Sequence, residues 1–182
     1  MECKNGFLQL FEQSKEFYDD KNNGLSQYAQ EASRELFTGG ARWMMQALQC
    51  LRNKRVDLPN VNYEILGLFK YGSALLTGIF ISLTFWKFSP FISVIAFILA
   101  FYAVEAQFVF LFPLAIDRTP KLIRSSLWMT QKAGGTTKVM GIVLPIAAYM
   151  LLGGFSGKGF LRSWCIGCLA IVIWYETIRD EL

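Results

Sequence analysis

Histidine is absent from all 182 residues, and that one absence removes whole chemistries. Imidazole-ligated zinc and haem, Ser-His-Asp hydrolysis and the histidine boxes of di-iron oxidases all need this side chain. No P-loop and no GxGxxG occurs. Gly153, Gly154, Gly157 and Gly159 cluster in a turn without the strand and helix that phosphate cradles require. No cofactor and no metal is therefore expected. Charge is also scarce: 18% of residues are ionic, against about 25% in soluble domains. The start Met1, Glu2, Cys3, Lys4 lacks the basic segment, apolar core and small-residue site of a secretory signal, so no cleavage is expected.

What is present is apolar and unevenly spread. Hydrophobic residues make up 53% and aromatics 15% of the chain. The first 67 residues hold 8 of the 18 basic and 9 of the 14 acidic side chains. Two different solvents are implied for the two parts. The net charge of +4 comes from the apolar part and does not point to nucleic acid. The expected fold class is all-α: a polytopic membrane protein with four transmembrane helices over 68–182, preceded by cytoplasmic amphipathic helices over 1–67.

Crossing a hydrocarbon core takes about 20 mostly apolar helical residues, which places spans at about 68–86, 90–112, 139–155 and 160–178. Lys70, near the start of the first, is expected to snorkel to the interface. Pro145 should bend the third. Arg118, Lys121, Arg124, Lys132 and Lys138 lie between spans two and three, so that loop is expected to be cytoplasmic, and by parity both termini with it. Lys87, Lys158 and Arg162 fall on the outer side.

In the first 67 residues, Phe7, Leu10, Phe11, Phe17 and Tyr18 recur at helical spacing. A turn follows at 19–24. A second helix is expected from Ser26 until Gly39 and Gly40 interrupt it, and a third from Ala41 to Asn53. The third directs Trp43, Met44, Ala47, Leu48 and Leu51 to one side and carries Arg42 and Arg52 near its ends. It suits either the headgroup layer or a cap on the spans. A similar element in the second cytoplasmic connection should be capped by Thr119, begin at Pro120 and stop at Gly134 and Gly135. Arg42, Trp43, Lys121, Arg124 and Trp128 would together line a cationic, aromatic shelf for lipid headgroups.

Two features inside the apolar part carry candidate chemistry. Glu105 lies within the second span, and an intramembrane acid usually faces protein or water and often serves a function. Ser73, Thr77 and Tyr149 are expected at similar depth, forming a buried polar cluster with it. Cys165 and Cys168 stand at CxxC spacing in the fourth span. Four spans with CysIleGlyCys near the outer end of the fourth resemble the vitamin K epoxide reductase family. That resemblance implies a membrane oxidoreductase, although the family's further cysteine pair after its first span has no counterpart here. Ala41, Arg42 and Trp43 through Arg52 are similar to the ArgTrp element before the membrane helices of processive family-2 glycosyltransferases. Lacking the nucleotide-sugar domain, this chain would at most be a partner of such an enzyme.

The expected function is that of an integral membrane protein engaging membrane lipids and other membrane protein subunits, or further copies of itself, as a complex subunit or assembly factor. The alternative is a small membrane enzyme acting on a lipid or quinone-like substrate through Glu105 or the Cys165 and Cys168 thiols.

Overall fold

A computed structural model describes residues 6–32, 35–156 and 159–180; Cys3 and Lys158 lie outside them. The described residues are helical throughout their regular structure, and four helical stretches are long and apolar enough to cross a membrane: Tyr63–Trp86, Pro90–Ile116, Gly135–Phe155 and Phe160–Asp180.

The chain opens with α1 (Phe7–Asp19), α2 (Leu25–Ala32) and α3 (Phe37–Arg52). The interruption expected at Gly39 and Gly40 from their backbone freedom does not occur; they lie in the first turn of α3, and Gly39 is buried there. On α1, Leu10, Ser14 and Tyr18 are buried at four-residue intervals, while Glu12, Gln13, Lys15 and Glu16 are exposed. One face of this helix is therefore protein-facing and the other is polar.

The helix α4 (Tyr63–Trp86) begins five residues before the expected 68 because the Asn62 side chain accepts from the Ile65 N–H at 3.1 Å and caps it. It pairs antiparallel with α5 (Pro90–Gln107). Along the seam, a Cβ on Gly78 would meet the Phe97 ring at 2.9 Å, and the Ser82 and Ser93 hydroxyls lie 2.7 Å apart. The expected single helix over 90–112 is broken: α5 stops at Gln107, and the short α6 (Leu111–Ile116) follows. The break frees backbone carbonyls that apolar surroundings would leave unpaired. The helix α7 (Leu122–Lys132) captures them, Thr130 Oγ1 donating to the Ala106 carbonyl at 3.0 Å and Ser126 Oγ to the Gln107 carbonyl at 2.7 Å. This helix starts later than expected. Thr119 N–H bonds back to Leu114 instead of opening a helix, and Lys121, at φ 55°, holds the cap position.

The last pair is α8 (Gly135–Leu152), which runs through Pro145, and α9 (Phe160–Asp180). Gly167 lets α9 close on Met150 and Ile146 of α8. The helix α9 is also packed by α1, α2 and α3, which makes it the central element. The N-terminal helices reach both of its ends. Arg162, at its start, bonds to Asp19 of α1 at 2.6 Å, and Glu176, near its finish, bonds to Arg52 of α3 at 2.7 Å.

Candidate functional site

The buried charge of the apolar part is a closed pair. Gly67, Lys70, Ala74 and Gly78 form the buried stripe of α4, and the stripe brings Lys70 Nζ to 2.8 Å from Glu105 Oε1 of α5. Lys70 is 4% and Glu105 8% exposed. Lys70 therefore does not snorkel. Its helical register turns it inward, where the carboxylate compensates its charge and the rings of Tyr71 and Phe112 lie 5.0 and 5.9 Å from Nζ. Among the described residues the second carboxylate oxygen, Oε2, has no hydrogen-bond partner, nor has the buried Tyr63 hydroxyl. Cys168 is close enough to interact electrostatically with both Lys70 and Glu105.

The expected hydroxyl cluster does not assemble around this pair. Ser73 Oγ donates to the Lys70 carbonyl at 2.9 Å and Thr77 Oγ1 to the Ser73 carbonyl at 2.9 Å, both within α4. Tyr149 packs edge-on against Phe11 of α1, with ring centroids 4.3 Å apart. The two thiols point into protein. Both are buried and free; Cys165 lies beside the Tyr18 hydroxyl of α1. Burial, reinforced by neighbouring Cys165, pushes the Tyr18 hydroxyl up to about 12, so it stays protonated at physiological pH.

A second charged cluster, which the sequence reading missed, lies where α3, α6 and α9 end together. Arg52 forks onto Asp117, with bonds of 2.6 and 2.7 Å, and onto Glu176, with bonds of 2.9 and 2.7 Å. Tyr175 donates to Asp117 at 2.7 Å, and Arg179 reaches Asp117 at 3.3 Å and Glu176 at 3.0 Å. Burial alone would raise the Asp117 carboxyl, but its bonds from Arg52 and Tyr175 and the nearby guanidinium charges hold it below its usual value. Two arginines and two acids thus neutralise one another. The available signal was positional: each of these residues sits at the very edge of an apolar run. Beside the cluster, a groove is lined by Lys54, Arg55, Val56, Asp57, Ile116 and Arg118.

The expected headgroup shelf is only partly exposed. Trp43 is 4% exposed and its indole N–H donates to the Leu25 carbonyl at 3.3 Å, so it joins α2 to α3 and does not face lipid. Arg42 is exposed and pairs with Glu35 at 3.0 Å. On α7 the small polar face, Ser126 and Thr130, is buried, while Ile123, Leu127 and Trp128 are exposed beside Lys121 and Arg124. Lys132 lies 5.7 Å from the Trp128 ring.

No family model matches the chain, and searches of curated proteins and of solved structures return no match. The resemblance to the epoxide reductases accordingly rests on CysIleGlyCys and the number of apolar helices.

Proposed function

We propose that this chain is a multi-pass integral membrane protein that engages lipid and partner membrane proteins as a complex subunit or assembly factor, with both termini cytoplasmic. The observation that carries the reading is a contrast in accessibility. Glu105 is tied to Lys70, and both thiols are packed in the core, whereas the accessible surface offers an apolar stripe on α4, with Ile65, Leu68, Leu76, Phe80 and Leu83 exposed, and the amphipathic face of α7. Groups that an enzyme would present to substrate serve here as internal ties. A lipid-engaging subunit needs the surfaces that remain. The test is purification of the full chain in mild detergent with analysis of retained lipid. Replacing Lys121 and Arg124 by Gln and Trp128 by Ala is expected to lower retention of anionic phospholipid while zwitterionic lipid is unaffected; unchanged retention removes α7 from the proposal.

One observation favours the enzyme alternative. Glu105 Oε2 is unpartnered and Cys168 lies nearby, an arrangement open to a polar group of a lipid or quinone-like substrate. If Cys165 and Cys168 cycle between dithiol and disulfide in membranes and their Ser variants lose cellular function, the subunit reading gives way to this one.

A further inference from the structure

The four apolar helices do not share one surrounding. From Leu75 to Leu99, α4 and α5 bury side chains only where they face each other, as at Gly78 with Phe97 and Ser82 with Ser93. Their remaining circumference is apolar and open, with Leu76, Phe80, Leu83, Phe91 and Val94 each more than half exposed. No ionic residue falls between Lys70 and Lys87, or between Lys87 and Glu105. The hydroxyls of Thr77 and Thr84 are returned to carbonyls of their own helix, as lipid demands. By helix rise, Lys70 to Trp86 and Pro90 to Glu105 each extend about 25 Å, close to the thickness of a hydrocarbon core, with Lys87 at the tip able to reach the far headgroups.

The helix α9 is enclosed instead. More than half of its apolar stretch is buried, 56% against 22% in both α4 and α8, and α1 supplies much of the cover. The outward face of α1 is Glu12, Gln13, Lys15 and Glu16, and α1 lies against the Cys165 end of α9 through Tyr18 and Asp19. If α9 crossed the bilayer amid lipid, this charged face would lie in hydrocarbon along with it, where ionic side chains are strongly disfavoured. The N-terminal helices also join both ends of α9, which a cap confined to one membrane surface could not do.

We infer that the α4–α5 hairpin is the surface that enters the acyl-chain region, and that α9, sheathed by α1, α2 and α3, belongs to a water-facing body beside the membrane. The hairpin crosses and returns, which leaves α3 and α7 on one side of the membrane. The distribution of cations fits: Lys87 alone is carried across, while Lys54, Arg55, Arg118, Lys121 and Arg124 remain with the body. The inference rests on the membrane reading above, and its test separates the two.

Membranes holding the full chain, opened so that reagent reaches both faces, are treated with a polymer-linked maleimide. Glu16→Cys on α1 and Phe80→Cys on α4 are each compared with the unsubstituted chain carried through the same reaction. Both positions are exposed, so neither change disturbs the core. The inference expects added mass on Glu16→Cys and none on Phe80→Cys until detergent is supplied. Protection at both positions overturns the inference and leaves the membrane reading standing, since lipid or a partner subunit then covers α1. Labelling at Phe80→Cys before detergent is supplied overturns both.

Discussion

The α4–α5 and α8–α9 hairpins have similar lengths and similar apolar character, yet α9 is enclosed where α4 and α5 are open. The first closes on itself through a small-residue stripe and turns the rest of its side chains outward. In the second, α9 is wrapped while α8 is as open as α4. The small residues of this hairpin, Gly153, Ser163 and Gly167, admit close neighbours, and the helical segment before α4 covers what α8 leaves open. Hydropathy measures how little a helix dislikes an apolar environment; it does not distinguish lipid from protein as the source of that environment. What distinguishes them is the company a helix keeps, and in α9 that company carries charge on its far side.

The largest expected effect lies at the base of the α4–α5 hairpin, where Lys70 meets Glu105. Lys70→Met or Glu105→Gln alone strands one buried charge or its partner's lone pairs, and each is expected to cost about 3–5 kcal/mol. The double variant Lys70→Met/Glu105→Gln removes both charges and should recover most of that loss. Denaturant titration of the purified chain in detergent measures it. Additive losses in the double variant would mean that the pair does not couple α4 to α5.

Next in size is the Arg52 cluster, which fastens α3 to the ends of α6 and α9. Arg52→Ala leaves Asp117 and Glu176, each about one-sixth exposed at the side chain, to share Arg179. The partial exposure moderates the cost to about 2 kcal/mol. Hairpin labelling at Phe80→Cys should be unaffected. The same cluster sets an acid limit. Because Asp117 is held below its usual 3.8, its carboxylate stabilises the fold at pH above that value, and the contribution is lost as pH falls below it through the depressed value. Melting temperature should therefore stay level through mildly acidic pH and drop below about pH 4, with the Asp117→Asn variant showing a smaller drop.

Much of the architecture was legible from residue order. Apolar runs located all four long helices, and Gly134 marked the end of α7 through its positive φ. Their borders moved for local reasons that a hydropathy reading passes over: Asn62 caps α4 early, and the break after Gln107 depends on hydroxyls of α7 that are distant in sequence. The site was legible only in half. Glu105 stood out as an intramembrane acid, but its partner Lys70 looked like an interfacial snorkeller, because depth along a helix can be counted and rotation toward a neighbour cannot. Trp43 was open in the same way. A Trp beside arginines fits a lipid interface and an interhelical joint equally well, and the Leu25 carbonyl that decides between them lies eighteen residues upstream.

The smallest effect concerns how firmly α1 closes over α9. The Asp19–Arg162 pair is short, at 2.6 Å, but its side chains are 46% and 27% exposed, so solvent screens it and Asp19→Asn should cost no more than about 0.5 kcal/mol globally. Local opening is a more sensitive readout, because detaching one helix requires less free energy than unfolding the whole. Cys165 sits beneath Tyr18 of α1, whereas Cys168 faces the Lys70 and Glu105 pair. Asp19→Asn should therefore speed alkylation of Cys165, resolved by peptide mass spectrometry, and leave Cys168 as slow as before. Equal acceleration at both thiols would show that α9 opens as a unit with the α4–α5 joint, and the two regions contrasted above would then be one cooperative body.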